Sequence, residues 1–283
     1  MMKHTILFLI ITGLFLYAGD GDKVETSAEC LDCHEEVKDI LVKTVHTQTF
    51  KVTCVDCHST GVKTHIDDPD LGNIATGKGL QGQQDCLSCH ESTIHRRTPG
   101  ANIHMSAQVE CADCHAMHRE GVRTSTPLLA AHSQRELCGS CHTDVMATLR
   151  KPYGHKLTHG GMTCASCHDA HGGSGEMRFT KGSLNETCVS CHNNLRGPFV
   201  FAHVSGHNGD CMSCHEAHGS SNPRQLTRTN TYQLCIECHS SVGTAPLGSI
   251  PPSFHDPRSP RFKECAVCHT AVHGSSRSPD LLK

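Results

Sequence analysis

Ten copies of Cys-x-x-Cys-His account for all 20 cysteines of the chain. The cysteines are Cys30 and Cys33, Cys54 and Cys57, Cys86 and Cys89, Cys111 and Cys114, Cys138 and Cys141, Cys164 and Cys167, Cys188 and Cys191, Cys211 and Cys214, Cys235 and Cys238, and Cys265 and Cys268. The histidines that follow them are His34, His58, His90, His115, His142, His168, His192, His215, His239 and His269. Two thiols three residues apart with a histidine next to the second form the attachment site of a c-type haem. The thiols make thioether bonds to one porphyrin, and the histidine gives an axial nitrogen to its iron. At this Cys and His content, chance would supply about 0.1 such motif. A disulfide scaffold has no use for histidine after every second cysteine. Zinc ribbons do not need ten adjacent histidines. A thioredoxin-like Cys-x-x-Cys needs a βαβ setting, and none is visible. The chain is therefore expected to carry ten covalently attached c-type haems.

The motifs alternate between two types. The first type, CLDCHEEV, CLSCHEST, CGSCHTDV, CVSCHNNL and CIECHSSV, has no histidine just after it. The second type is followed closely by one in CADCHAMH, CASCHDAH, CMSCHEAH and, one residue later, CAVCHTAVH. In CVDCHSTGVKTH that histidine is delayed to His65. The pairs start at Cys30, Cys86, Cys138, Cys188 and Cys235, and their second motifs at Cys54, Cys111, Cys164, Cys211 and Cys265. The separations within pairs are nearly equal, the last being the longest, and the steps between pairs shorten gradually along the chain. Such regularity indicates internal duplication and a quasi-linear array of five two-haem units, 30–65, 86–118, 138–171, 188–218 and 235–273.

Each unit also has a histidine seven to ten residues before its second motif: His46, His104, His155, His203 and His255. With the trailing His65, His118, His171, His218 and His273, that makes ten non-motif histidines, one per haem. Their repeated position marks them as distal iron ligands. His95, His132, His159 and His207 remain spare. A histidine three residues after a motif histidine cannot easily reach round to the same iron, so it is expected to serve a neighbouring haem. Spacing alone leaves the individual assignments open.

Between motifs, secondary structure is sparse. Val37, Ile40, Leu41 and Val45 have helical spacing within 35–45, as do Val145, Met146 and Leu149 within 143–151. The connection 242–263 holds Pro246, Pro251, Pro252, Pro257 and Pro260 and cannot be a long helix. No segment has a convincing strand period. The expected fold is a multihaem c-type cytochrome of irregular loops and short α-helices around an extended array of ten haems, with little or no β-structure. Trp is absent, aromatic residues are 4% and apolar residues 36%. The polypeptide core is weak, and the porphyrins must supply most of the buried apolar surface.

Thioether attachment takes place outside the cytoplasm, so export is expected. Lys3, the apolar run from Thr5 to Tyr17, and small Ala18 and Gly19 read as a signal peptide over 1–18. The run is shorter than the roughly 20 residues of a membrane-spanning helix. Residues 19–283 are then the decahaem array. The formal charge is −3. Loss of Lys3 with the signal segment makes it −4, ten bis-imidazole ferric haems at about −1 each bring the total to about −14 if every propionate ionises, and nucleic acid is an unsuitable partner.

Histidine on both faces leaves no open iron position. Such iron passes single electrons and does not bind substrate. Six methionines remain after the signal segment, Met105, Met117, Met146, Met162, Met177 and Met212. None repeats by position, so they read as packing residues. Bis-histidine ligation without methionine places the potentials low. The chain is expected not to be an enzyme. The alternatives are a soluble periplasmic electron shuttle to a reductase and a multihaem reductase with one open haem.

The chain resembles the MtrA/DmsE-type decahaem c-type cytochromes of Gram-negative bacteria. The match lies in MTCASCHDAHGG at 162–173, ETCVSCHNNLRGPFVFAH at 186–203, CMSCHEAHGSSNPRQL at 211–226, LCIECH at 234–239 and CAVCHTAVHGSS at 265–276. HTQTFKVTCVDCHSTGVKTH at 46–65 and HMSAQVECADCHAMH at 104–118 extend it toward the N-terminus. The resemblance implies electron transfer along a line of bis-His haems. It also implies a periplasmic protein associated with the outer membrane. Its partners would be a porin-like β-barrel protein and other multihaem cytochromes as donor and acceptor, in extracellular electron transfer. DmsE-type members serve an exported reductase system.

Overall fold

The computed structural model describes residues 21–41, 44–70, 74, 76–91, 103–118, 128–157, 161–172, 179–203, 211–239 and 260–282. The expected signal peptide, His95, His159, His207, His255, Met177 and nearly all of the Pro-rich connection lie outside them. Polypeptide contacts divide the chain into two bodies. One comprises Met1–Ser88 and Met117–Ser125, and the other Cys89–Ala116 and Thr126–Lys283.

Helices in both bodies are short, and most exist to present a motif. A single helical turn puts residues i and i+3 on one face, which brings both cysteines to one side and the histidine just beyond. In nine motifs the histidine N–H closes this turn on the carbonyl of the first cysteine at 2.9–3.0 Å, from His34 on Cys30 to His269 on Cys265. The turns are stabilised from within the motif. In Cys54–Cys57, Asp56 accepts from the Thr53 N–H at 2.8 Å. Asp113 does the same for Glu110 at 2.8 Å and Ser166 for Thr163 at 3.0 Å. First-type motifs are instead approached by a capped helix. Ser133 accepts from Glu136 N–H at the start of Gln134–Gly139, and Ser183 from Glu186 N–H at the start of Leu184–Val189. These are caps of the Ser/Thr-x-x-Glu kind.

The two amphipathic segments expected from spacing form Glu35–Leu41 and Thr143–Thr148. Met146 lies against Gly139, where a Cβ would meet its Cγ at 2.9 Å. In four units the first motif's helix touches the second motif's turn. Gly21–Cys33 meets Cys54–Cys57, Gln134–Gly139 meets Cys164–Ser166, Leu184–Val189 meets Cys211–Ser213, and Thr231–Ile236 meets Cys265–Cys268.

Among the described residues, β-structure is limited to isolated antiparallel bridges. Two of them brace the larger body. Tyr153 and Ser220 exchange hydrogen bonds of 3.1 and 2.6 Å, and Phe201 and Ser275 exchange 2.8 and 2.9 Å. Tyr153 and Phe201 stand two residues before His155 and His203, and Ser220 and Ser275 two residues after His218 and His273. Each bridge therefore ties a histidine of one repeat to a histidine of the next. The glycine between makes the approach possible. Gly219 has φ +145°, and a Cβ there would lie 2.6 Å from the Thr148 carbonyl oxygen.

Among the described residues, the buried apolar side chains are Leu87 and Leu129 alone. Several large apolar groups flank the site histidines and stay open to solvent. Val45 precedes His46 and is 53% exposed, and Ile103 precedes His104 and is 57% exposed. Val267, inside the last motif, is 72% exposed. A chain of this length would ordinarily bury far more. Replacing Gly219 with Ala should lower stability by about 1–3 kcal/mol, read as a lower Tm of the haem-loaded protein. An unchanged Tm would refute the role given to this close approach.

Candidate haem-binding site

Eight of the motif histidines each face a second histidine. In the smaller body the ring centres of His34 and His65 lie 6.3 Å apart, and those of His58 and His118 5.9 Å apart. In the larger body the facing pairs are His104 with His142 at 6.1 Å, His115 with His171 at 5.8 Å, and His155 with His192 at 6.3 Å. His168 faces His218 at 6.0 Å, His203 faces His239 at 6.2 Å, and His215 faces His273 at 6.3 Å. Each pair joins one motif histidine to one non-motif histidine of the expected set. The spare His132 belongs to none of these pairs. Its backbone N–H donates to Glu136.

The distances match a specific chemistry. Metal–nitrogen bonds of about 2 Å on either side of one ion, plus about 1.1 Å from nitrogen to ring centre, separate two trans imidazoles by about 6.2 Å. Stacking without a metal would bring ring faces much closer. Among the described residues no three His, Cys, Asp or Glu side chains converge as a metal cluster. Two such nitrogens on one iron would leave its remaining positions to a porphyrin. The donor set and the exposed apolar side chains around it therefore fit a c-type haem.

The pairs follow one register. From His58 onward, a second-type motif histidine faces the trailing histidine of the next unit: His58 with His118, His115 with His171, His168 with His218, His215 with His273. A first-type motif histidine faces the earlier non-motif histidine of the preceding unit: His142 with His104, His192 with His155, His239 with His203. His34 is closed by His65 of its own unit. By the same register His90 would face His46, and His255 lies outside the described residues.

Several rings have their tautomer set by the backbone. A carbonyl oxygen can only accept, so a ring nitrogen facing one must carry the proton. His155 Nδ1 donates to Ala217 at 3.0 Å, His215 Nδ1 to Arg224 at 2.9 Å, and His269 Nδ1 to Asp280 at 2.6 Å. His104 Nδ1 makes a longer contact of 3.4 Å with Ala170. Nε2 is then the unprotonated atom available to a metal. Burial, then the facing His58, lowers the pKa of His118. Burial and His168 do the same for His218, and burial and His215 for His273. Neutral imidazole is the ligating form.

The thiols also lie near one another in chain order. A hydrogen bond to Cys164 pushes the Cys138 thiol up, and the same bond pulls Cys164 down to about 6. Burial, then Cys265 beside it, pushes Cys235 up to about 11, with Cys214 adding to the effect. Burial, then Asp113 and Cys141, raise Cys114, and burial with Cys191 raises Cys167. Neighbouring motifs thus present their porphyrin-bearing sulfurs to one another. Motif spacing located these cysteines and histidines. It did not reveal the carbonyls of Ala217, Arg224 and Asp280, because a backbone acceptor has no sequence signature.

The doubled CXXCH motif family matches at residues 104–147, 155–197 and 203–244. The multiheme cytochrome MtrA of Shewanella baltica is 33% identical over 189 residues, covering 62% of this chain. Over that stretch the chain is similar to a multihaem cytochrome. It spans 55% of the length of that curated relative. The doubled CXXCH motifs and the cysteine pairs indicate covalently bound c-type haems. Among the described residues no helix is long and apolar enough to cross a membrane.

His171→Met should keep the haem of the His115 motif in place, since its thioethers are untouched, and raise its potential on the order of 0.1 V. His132→Ala should move nothing. A redox titration of the two variants checks both, and an unshifted His171→Met would remove His171 from the ligand set.

Proposed function

We propose that this chain relays single electrons along ten bis-histidine c-type haems. The facing imidazole pairs carry this reading. The eight observed pairs account for eight irons, and His46, His90, His255 and His269 supply four nitrogens for the remaining two. When bound, each haem supplies an iron that alternates between ferric and ferrous states.

The chain's own residues do the rest. Paired imidazoles hold a low-spin iron in similar geometry in both oxidation states, which keeps reorganisation small. Two protein ligands per iron close it to substrates, so the chain is no reductase in this reading. The contacts between first and second motifs, together with the thiol proximities from Cys114 to Cys265, place successive attachment points side by side in the larger body. Electrons therefore have a sequence-ordered route there. Cys89, Cys141, Cys191, Cys238 and Cys268 are the exposed cysteines of the larger body, and the porphyrins they carry would each have an edge near solvent.

We place this relay in the periplasm, within a porin-like β-barrel of the outer membrane, between multihaem cytochromes on either side. Likeness to an MtrA cytochrome supports this setting, as does a polypeptide with so little core of its own. A surrounding barrel would supply the lipid-facing surface that the chain lacks. Residues 1–18 serve as the export signal and 19–283 as five two-haem units.

Two measurements test the proposal. Electron paramagnetic resonance of the oxidised protein should contain low-spin bis-histidine signals alone, and a high-spin haem would reopen the reductase reading. On fractionation the protein should stay with outer membranes and co-purify with a large β-barrel protein. Free recovery in periplasmic extract would replace the conduit with a soluble shuttle.

A further inference from the structure

The second-type motifs of the larger body share a contact that haem attachment does not require. After each motif the chain turns back and lays a short extended segment along it. His115 bridges Leu129, His168 bridges Phe179 and His215 bridges Leu226. The N–H just past the motif donates to the returning segment: Ala116 to Leu128 at 2.7 Å, Glu216 to Gln225 at 2.8 Å, and Ala271 to Leu281 at 2.9 Å. In three cases the segment also donates back to the second motif cysteine, from Ala130 to Cys114 at 2.8 Å, Thr180 to Cys167 at 3.1 Å, and Thr227 to Cys214 at 2.9 Å.

The backbone of the returning segment is strained in a repeated way. The acceptors Leu128, Gln225 and Leu281 all have left-handed φ, at 47°, 58° and 55°. None is glycine, and such conformations cost on the order of 1 kcal/mol or more each. Repetition at equivalent positions shows what holds them. The residue before the acceptor aims its carbonyl at the motif histidine. Arg224 receives His215 Nδ1 at 2.9 Å, and Asp280 receives His269 Nδ1 at 2.6 Å. The last motif is followed by one extra residue, Thr270, and the register shifts with it, since Ala271 replaces the residue next to the histidine as donor.

We infer that residues 278–282 form a positioning strap for His269, whose Asp280 backbone carbonyl fixes the ring with Nδ1 protonated and sets the potential of the haem it serves. This rests on reading His269 as an axial ligand. A hydrogen bond from Nδ1 to a carbonyl makes Nε2 a stronger donor. A stronger donor favours ferric over ferrous iron and lowers the potential. Arg224 plays the same part for His215. The side chain of Asp280 takes no part, because its backbone oxygen is the acceptor.

The test uses the full haem-loaded chain and four variants. A stop after Arg277 removes the strap. Leu281→Pro displaces it within a full-length chain, because the proline ring forbids the left-handed φ that Leu281 adopts. Asp280→Ala keeps the carbonyl and removes the carboxylate. His269→Ala tests the ligand itself. Redox titration followed by electron paramagnetic resonance should show one transition displaced upward by about tenfold in the ferrous-to-ferric ratio, 59 mV for one electron, in both strap variants. Asp280→Ala should leave every transition in place. An equal shift in Asp280→Ala, or no shift when the strap is removed or displaced, overturns the inference. If His269→Ala retains every low-spin signal, the ligand assignment fails instead, and the two failures are distinguishable.

Discussion

Two imidazoles facing each other with ring centres between 5.8 and 6.3 Å apart do little for each other directly. They are too distant to bond and too close to admit another residue between them. One ion would fit that space and would join the two segments that carry the rings. The eight facing pairs given above share this spacing. The described polypeptide buries only Leu87 and Leu129 as apolar side chains, so porphyrin and iron would join its segments more than side-chain packing does. Metal–ligand bonds then act as folding free energy, as in small metal-dependent domains.

Minor features gain weight under that constraint. Asp56, Asp113 and Ser166 fasten a single helical turn, which by itself would be unstable in water. Ser220 and Ser275 hold histidine-bearing segments of successive repeats in register. Gly219 and Gly274 lie immediately after trailing histidines with φ of 145° and 133°, and each packs where a Cβ would collide with a neighbour. Each of these contacts adds little stability alone. Together they fix where a ring points, and ring direction determines whether an iron can be closed on both faces.

The sequence disclosed the attachment chemistry because a covalent site must spell out its residues. It disclosed the non-motif histidines because duplication repeated them. The short helices 35–41 and 143–148 were visible in their apolar spacing. The partner of each ring was not, because it depends on how successive repeats overlap, which spacing within one repeat does not contain. His65 shows this. Its spacing is the most irregular of the trailing histidines, yet it faces His34 at 6.3 Å like the others. The returning segments were also hidden, since their contribution is made by backbone carbonyls at Arg224 and Asp280 and not by side-chain identity.

The register of the pairs also imposes an order in time. A chain emerging from its N-terminus presents the partner of His34 early, at His65, before the second repeat has begun. His58 has to wait for His118, by which point the motifs at Cys86 and Cys111 have both emerged. Each later second-type motif histidine would likewise lack its facing ring until the following repeat appears. During export, a haem on the newest repeat would therefore be the one with an open face, and each further repeat would close its predecessor.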